Sequence, residues 1–473
     1  MLTIILFLVA LLPLYYAFWI NKWRNPNSKG VLPPGSMGFP VIGETLQLLI
    51  PSFSLDIHPF IRKRTQRYGP IFRSNLAGQS IVISTDPEFN RYILTQEGRL
   101  VEIWYLNTFS KIFSLEGESR TTAAGEIHKY MRGTFLTQFG LERLKEKLLP
   151  QIVNMVNETL YSWSTQEVIK VKHAVSTTIC DFTAKIFCGY DARVSPDKLS
   201  ECFTTFAEGL MSFPLNLPGT TYYQCLKNQQ KAINILKKMV KERRTSAEKH
   251  VEDFLSTALN DMEKEKFLTD DFITTLLFGL LFASFETIST TMTLMLNLLS
   301  SHPSVLQDLM AEHESILQNK PLDSSIKWDE YKSMTFTHQV INETLRLGNV
   351  APGLLRKAIK DVHYKGYTIP AGWTIMVATS IRHVNPEIYK NPLVFNPYRW
   401  KDLDSHIISK NFTPFGGGTR QCVGAEYSRV ILAIFLHVLV TKYRWTIIKE
   451  GKIGRNPLLG FGDGVHMKFF EKQ

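Results

Sequence analysis

Hydrophobic and polar positions follow three patterns along this chain. Residues 2–20, LTIILFLVALLPLYYAFWI, are uninterrupted by charge, and a run of that length spans a bilayer. Apolar residues recur at helical spacing through 124–165, 226–264, 268–301, 303–318, 328–347 and 424–441. Within these, 272–299 is almost wholly apolar, which predicts a helix buried on all sides. Two segments alternate instead. GPIFRSNLAGQSIVISTDPEF and KDVHYKGYTIPAGWTIMVAT read as hairpins, the first bounded by Gly and Asp-Pro. Strand-rich ends around a helical middle predict a mainly helical α+β fold with small sheets.

With 473 residues, 44% of them hydrophobic, and no linker or repeat, one large domain is the economical reading. It occupies 45–473, behind an anchor at 1–21 and a hinge at 22–44. Lys22, Arg24 and Lys29 follow the apolar run, so the rest of the chain is expected on the cytosolic side. A cleaved signal would carry its positive charge first and small residues at its end; here the end is aromatic. The hinge stiffens at Pro33, Pro34 and Pro40. The Asn-x-Ser/Thr matches at Asn157, Asn342 and Asn411 are then chance matches, because a cytosolic domain does not meet the glycosylation machinery.

The net charge of +11 is spread among carboxylates, as in VKERRTSAEKHVEDF. No basic block marks a nucleic-acid footprint; an anionic lipid surface or an acidic protein partner suits the charge as well. The five cysteines are odd in number and share no framework spacing. Cys180, Cys188, Cys202 and Cys225 read as small buried hydrophobes. There is no C-x-x-C and no H-E-x-x-H for zinc.

Cys422 differs because of its surroundings, NFTPFGGGTRQCVGAEYSRV. It precedes an apolar helix, whose N-terminus favours a thiolate. Gly416, Gly417 and Gly418 allow a sharp turn and close approach to a flat ligand. Gly424 leaves room on the helix, and Arg420 offers a fork to an anion. A haem iron and its propionates need such a set. A glycine-rich loop around a buried cysteine would share the spacing.

The series Phe415, Gly418, Arg420, Cys422 and Gly424 resembles the haem-binding signature F-x-x-G-x-R-x-C-x-G of the cytochrome P450 superfamily. Other segments of that family stand in order over roughly 33–470. ETLR, with Glu343 and Arg346, and FNPYRW, with Arg399, resemble its structural triad. FASFETIST resembles its oxygen-activating helix, with Glu286 and Thr287 in the acid and alcohol places. The resemblance implies a haem b bound through Cys422 and propionate contacts from His128, Arg132 and Arg356. A solvated helix face explains His128 and Arg132 equally, and many members carry tryptophan where His128 stands. Ser284 replaces a common glycine and Ile288 a common hydroxyl, which puts details of proton delivery in question.

A threonine on a buried helix returns its hydroxyl to the carbonyl four residues back. If that bond loosens, the hydroxyl can hold dioxygen and a water. The implied activity is a membrane-anchored monooxygenase of the endoplasmic reticulum, using O2 and electrons from NADPH through a cytochrome P450 reductase. Its nearest resemblance is to plant family eighty-seven, whose chemistry includes hydroxylation of cyclic triterpenes and oxidation of sterols. A polycyclic isoprenoid substrate is expected, with a sterol or brassinosteroid oxidase as the alternative. Trp104, Tyr105, Phe109, Phe282 and Phe285 are candidate lining residues, and core packing accounts for each as well. An oxygen-independent isomerase or lyase should lack the acid–alcohol pair; a haem sensor would need no cavity.

Overall fold

Thr269 begins the longest helix. Its hydroxyl accepts the Phe272 N–H at 3.2 Å, and Asp270 and Asp271 meet the positive helix end. Such local signals set the elements of the computed structural model, which describes residues 15–105, 125–210, 212, 214–245, 252–318, 325–456 and 458–472. The first thirteen positions of the apolar run and Phe109 lie outside them. Residues 15–24 are helical.

The helices that position the site are α1 (Pro87–Leu94), α2 (Glu126–Phe139), α3 (Val171–Cys188), α4 (Asp270–Ser300), α5 (Thr335–Gly348) and α6 (Ala425–Lys442). The strands are β1 (Ile71–Leu76), β2 (Gln79–Ser84), β3 (Val101–Ile103), β4 (Leu354–Ala358) and β5 (Thr374–Val377). They form one sheet in the order β1-β2-β5-β4-β3, with β2 and β5 parallel. Ile103 on β3 pairs with Arg356 on β4, and Leu355 pairs with Met376 on β5. The first hairpin is therefore β1–β2. The second is Val362–Tyr364 against Tyr367–Ile369, and its last residues join the larger sheet as β5.

α4 runs through the core against α3 and α5, with both Phe278 and Phe285 sealed from solvent. Among the described residues it is the one helix long and apolar enough to cross a membrane, and its burial explains that composition. The pattern at 124–165 resolves into two pieces. Gly140 is extended between α2 and Leu141–Ser164, which contains a π turn at Leu144–Leu148. The pattern at 226–264 also divides, into Thr221–Thr245 and Phe254–Asp261.

Candidate active site

The loop before α6 closes on itself through the Cys422 N–H, which donates to the Phe415 carbonyl at 3.0 Å. Gly416 and Gly418 take φ of 73° and 69°, the left-handed region that favours glycine. A Cβ on Gly418 would also sit 2.1 Å from the Leu94 carbonyl of α1. Gly417 is extended and open to any residue on backbone grounds. A Cβ on Gly424 would meet only the Cys422 sulfur at 4.0 Å, so no protein neighbour demands glycine there. Phe415 lies under the Arg429 guanidinium.

Cys422 is the exposed one of the five cysteines. The residue opens to solvent, yet protein crowds the sulfur on most sides. That crowding pushes its pKa up, against the smaller opposing pulls of the Gly424 N–H and Arg132. The expected lowering by the helix end is thus outweighed in the protein alone. A thiol in such a recess becomes a thiolate when a metal cation binds it.

The basic residues converge beside this loop. Arg132 of α2 donates to the Gln421 carbonyl at 2.7 Å. Arg356 of β4 and Arg420 of the loop reach one carboxylate, Glu97, at 3.1 and 3.0 Å. Crowding lowers the His128 pKa, and the charges of Arg420 and Arg132 lower it further. Glu97 carries no motif and was missed in the sequence. A cationic cradle, a soft sulfur donor and glycines at the points of close approach fit a haem with two propionates.

The structural triad assembles in the interior. Arg346 donates to both Glu343 oxygens at 2.9 and 2.8 Å, and Arg399 Nε adds a third bond at 3.0 Å. Trp400 Nε1 and the Asn396 N–H complete the carboxylate. Arg346 also donates to the His383 carbonyl at 2.6 Å, and the His383 ring accepts the Thr413 N–H at 3.1 Å. The triad is thereby tied to the start of the cysteine loop.

A cavity of about 430 Å³, the size of a small-molecule site, lies under α4. Trp104, Leu210, Phe282, Leu355 and Met376 give it a mainly apolar surface, and Glu286 and Thr287 are among the polar residues that border it. Phe285 instead points into the core. Tyr105 also lines the cavity and lies in the field of Arg356 and Arg420, so the cradle and the cavity adjoin. Thr287 Oγ1 donates to the Ala283 carbonyl at 3.0 Å, and Ser284 Oγ to Leu281 at 2.7 Å. Glu286 Oε1 accepts from Lys172 of α3 at 2.7 Å. The lysine is half-exposed, so this pair connects the cavity wall to solvent; nothing in the sequence pointed to Lys172.

Comparison with known proteins adds a family match and several relatives. The cytochrome P450 family model matches residues 33–462. Cucurbitadienol 11-hydroxylase of Siraitia grosvenorii is 53% identical over 100% of both chains. Beta-amyrin 16-alpha-hydroxylase of Maesa lanceolata is 47% identical over 98% of both. A solved structure, retinoic acid bound cyanobacterial CYP120A1, superposes with a TM-score of 0.82 at 26% identity, covering 94% of this chain and 100% of that one.

Proposed function

Because the chain belongs to the cytochrome P450 family, and is therefore a haem-dependent monooxygenase supplied with electrons by a redox partner, we propose that it hydroxylates a cyclic triterpene. The observation that carries the substrate class is the cavity, whose exposed surface is mainly apolar although polar residues such as Asp56, Glu286, Thr287 and Arg455 border it. A polycyclic hydrocarbon skeleton gains from leaving water for such a wall, at about 25 cal/mol per Å² of buried apolar surface. Two relatives named for triterpene hydroxylation support the same class.

Cys422 would hold haem b, with Arg132, Arg356 and Arg420 around its propionates, and the bound group would supply dioxygen activation for insertion of one oxygen atom into a C–H bond. The chain's own residues do the rest. The apolar wall orients the substrate and excludes water. Lys172 holds the Glu286 carboxylate at the solvent side of α4. Glu286 passes protons inward, and Thr287 presents its hydroxyl oxygen to the cavity. Overall, one NADPH and one proton accompany each O2, giving one hydroxyl on the substrate and one water. We assign the electrons to NADPH through a cytochrome P450 reductase and the chain to the endoplasmic reticulum membrane, with its catalytic domain cytosolic.

The test is co-expression with a reductase in hosts that make cucurbitadienol, β-amyrin or cholesterol. Mass spectrometry should find a triterpene gaining one oxygen atom, and only with reductase present. Oxygenation of sterol alone would overturn the triterpene assignment. A rearranged product with no added oxygen, formed without reductase, would point to isomerase chemistry.

A further inference from the structure

Glu97 lies between α1 and β3, and two remote segments and the neighbouring β3 meet on its carboxylate. Oε2 stands 3.1 Å from Arg356 Nε of β4. Oε1 accepts from Arg420 Nε at 3.1 Å, lies 3.0 Å from Arg420 Nη2, and accepts the Ile103 N–H of β3 at 3.0 Å. The three side chains are 3–10% exposed. Two guanidinium groups brought this close in the interior repel, and a carboxylate between them offsets that repulsion.

The charge count points to a ligand. Arg132, Arg356 and Arg420 against Glu97 leave a net of two positive charges over the four groups. His128 adds none, because its lowered pKa keeps it neutral at neutral pH. Two positive charges match a ligand bearing two carboxylates. Glu97 Oε2 and Arg356 Nε are both closed to solvent, so water screens this ion pair little and the carboxylate holds Arg356 firmly in place.

We propose that Glu97 is a positioning residue for the haem propionates, a role that rests on the haem reading above. It holds Arg356 and Arg420 in register with each other across β3, β4 and the cysteine loop.

Haem transfer from the full-length holoenzyme to excess apomyoglobin reads this directly. Glu97→Gln keeps the shape and an acceptor for Ile103 while removing the charge. It should release haem about tenfold faster or more, the scale of one lost charge-assisted hydrogen bond. Its carbon-monoxide band should stay that of a thiolate-ligated haem. Because both residues act through one contact, Glu97→Gln with Arg420→Gln should cost less than the product of the two single effects. Should Glu97→Gln fail to fold, Glu97→Asp, which keeps the charge but shortens the reach, carries the same measurement. Unchanged release, or fully multiplicative effects in the double variant, would overturn the proposal. Slower release would show that Glu97 competes with the propionates. A wild-type protein that binds no haem would instead refute the haem reading itself.

Discussion

Thr287 shows how one hydroxyl separates chemistry from structure. Its hydrogen is committed to the Ala283 carbonyl, while its oxygen can still accept from the cavity side. If that oxygen orders proton delivery, Thr287→Ala should bind haem and substrate normally and keep consuming NADPH. Product should fall and hydrogen peroxide rise in its place, each peroxide accounting for one NADPH and one O2. A purely structural threonine would cost about 0.5–1.5 kcal/mol of stability and leave coupling intact. Measuring NADPH, peroxide and product together decides between them. His383 gives a second residue-scale case. Burial, with Arg346 and Arg382 nearby, lowers its pKa to about 3 from 6.5. The unfolded chain therefore binds the extra proton between those values, and stability falls as pH drops through that window. In the folded protein the ring stays neutral, and goes on accepting the Thr413 N–H, down to about pH 3, so haem loss over this window should accompany unfolding and not precede it. His383→Asn keeps an acceptor that does not titrate. It should show a flatter dependence of denaturation midpoint on pH between 7 and 5, though His313, also lowered to about 3, keeps some slope. Equal slopes would remove His383 from this role. Cys422 and Arg420 were legible because a short spacing carries them. Glu97 was not, since it meets Arg420 across 323 residues, and Lys172 meets Glu286 across 114. Only the fold makes those contacts.

At the scale of elements, α5 holds the most consequential carboxylate. Glu343 and Arg346 are fully buried, and Arg399 nearly so. Glu343→Ala would leave Arg346 and Arg399 without their shared partner in the interior, a loss of about 3–5 kcal/mol against a typical total of roughly 5–15. The expected outcome is aggregated or haem-free protein with no carbon-monoxide band. A soluble variant with a normal band would show that the carbonyls of His383 and Pro392, which also accept from Arg346, suffice to seat it. Helix periodicity made α4, α5 and α6 legible, because each presents a long apolar pattern. It overran the breaks at Gly140 and at Asp253, which is extended before Phe254, since periodicity persists through a short interruption. α3 went unread. Its polar and apolar positions mix, and its helical end is fixed by Gly189 at φ 69°, a signal visible only beside a recognised helix.

On the whole molecule, the N-terminal segment borders the cavity and carries the apolar surface on which the proposed membrane attachment rests. Phe39, Val41, Ile42, Leu46, Ile50 and Phe53 are all exposed, Phe39 at 70% and Ile50 at 63%. Exposed apolar side chains so close together mark an interaction surface, and they follow the apolar run and its basic flank. Leu48 and Leu49, in the same stretch, line the cavity. A substrate dissolved in lipid would therefore meet the cavity wall beside the membrane surface. Two layers of attachment follow. Deleting residues 1–24 should release only part of the protein from microsomes and leave the carbon-monoxide band unmoved. Adding Leu46→Asp and Ile50→Asp to that deletion removes two side chains worth about 1.5–3 kcal/mol each when buried in an apolar phase. The membrane-bound to soluble ratio should then fall by roughly a hundredfold or more, again with the haem spectrum intact. The same pair of substitutions in the full-length chain keeps the anchor. It should raise the apparent KM for a lipid-dissolved triterpene while leaving kcat largely unchanged, because only access is altered. Complete release by the deletion alone would show that the apolar face does not touch lipid. Protection of the catalytic domain from protease in intact microsomes would reverse the orientation proposed from Lys22, Arg24 and Lys29, and with it the side on which a reductase could dock.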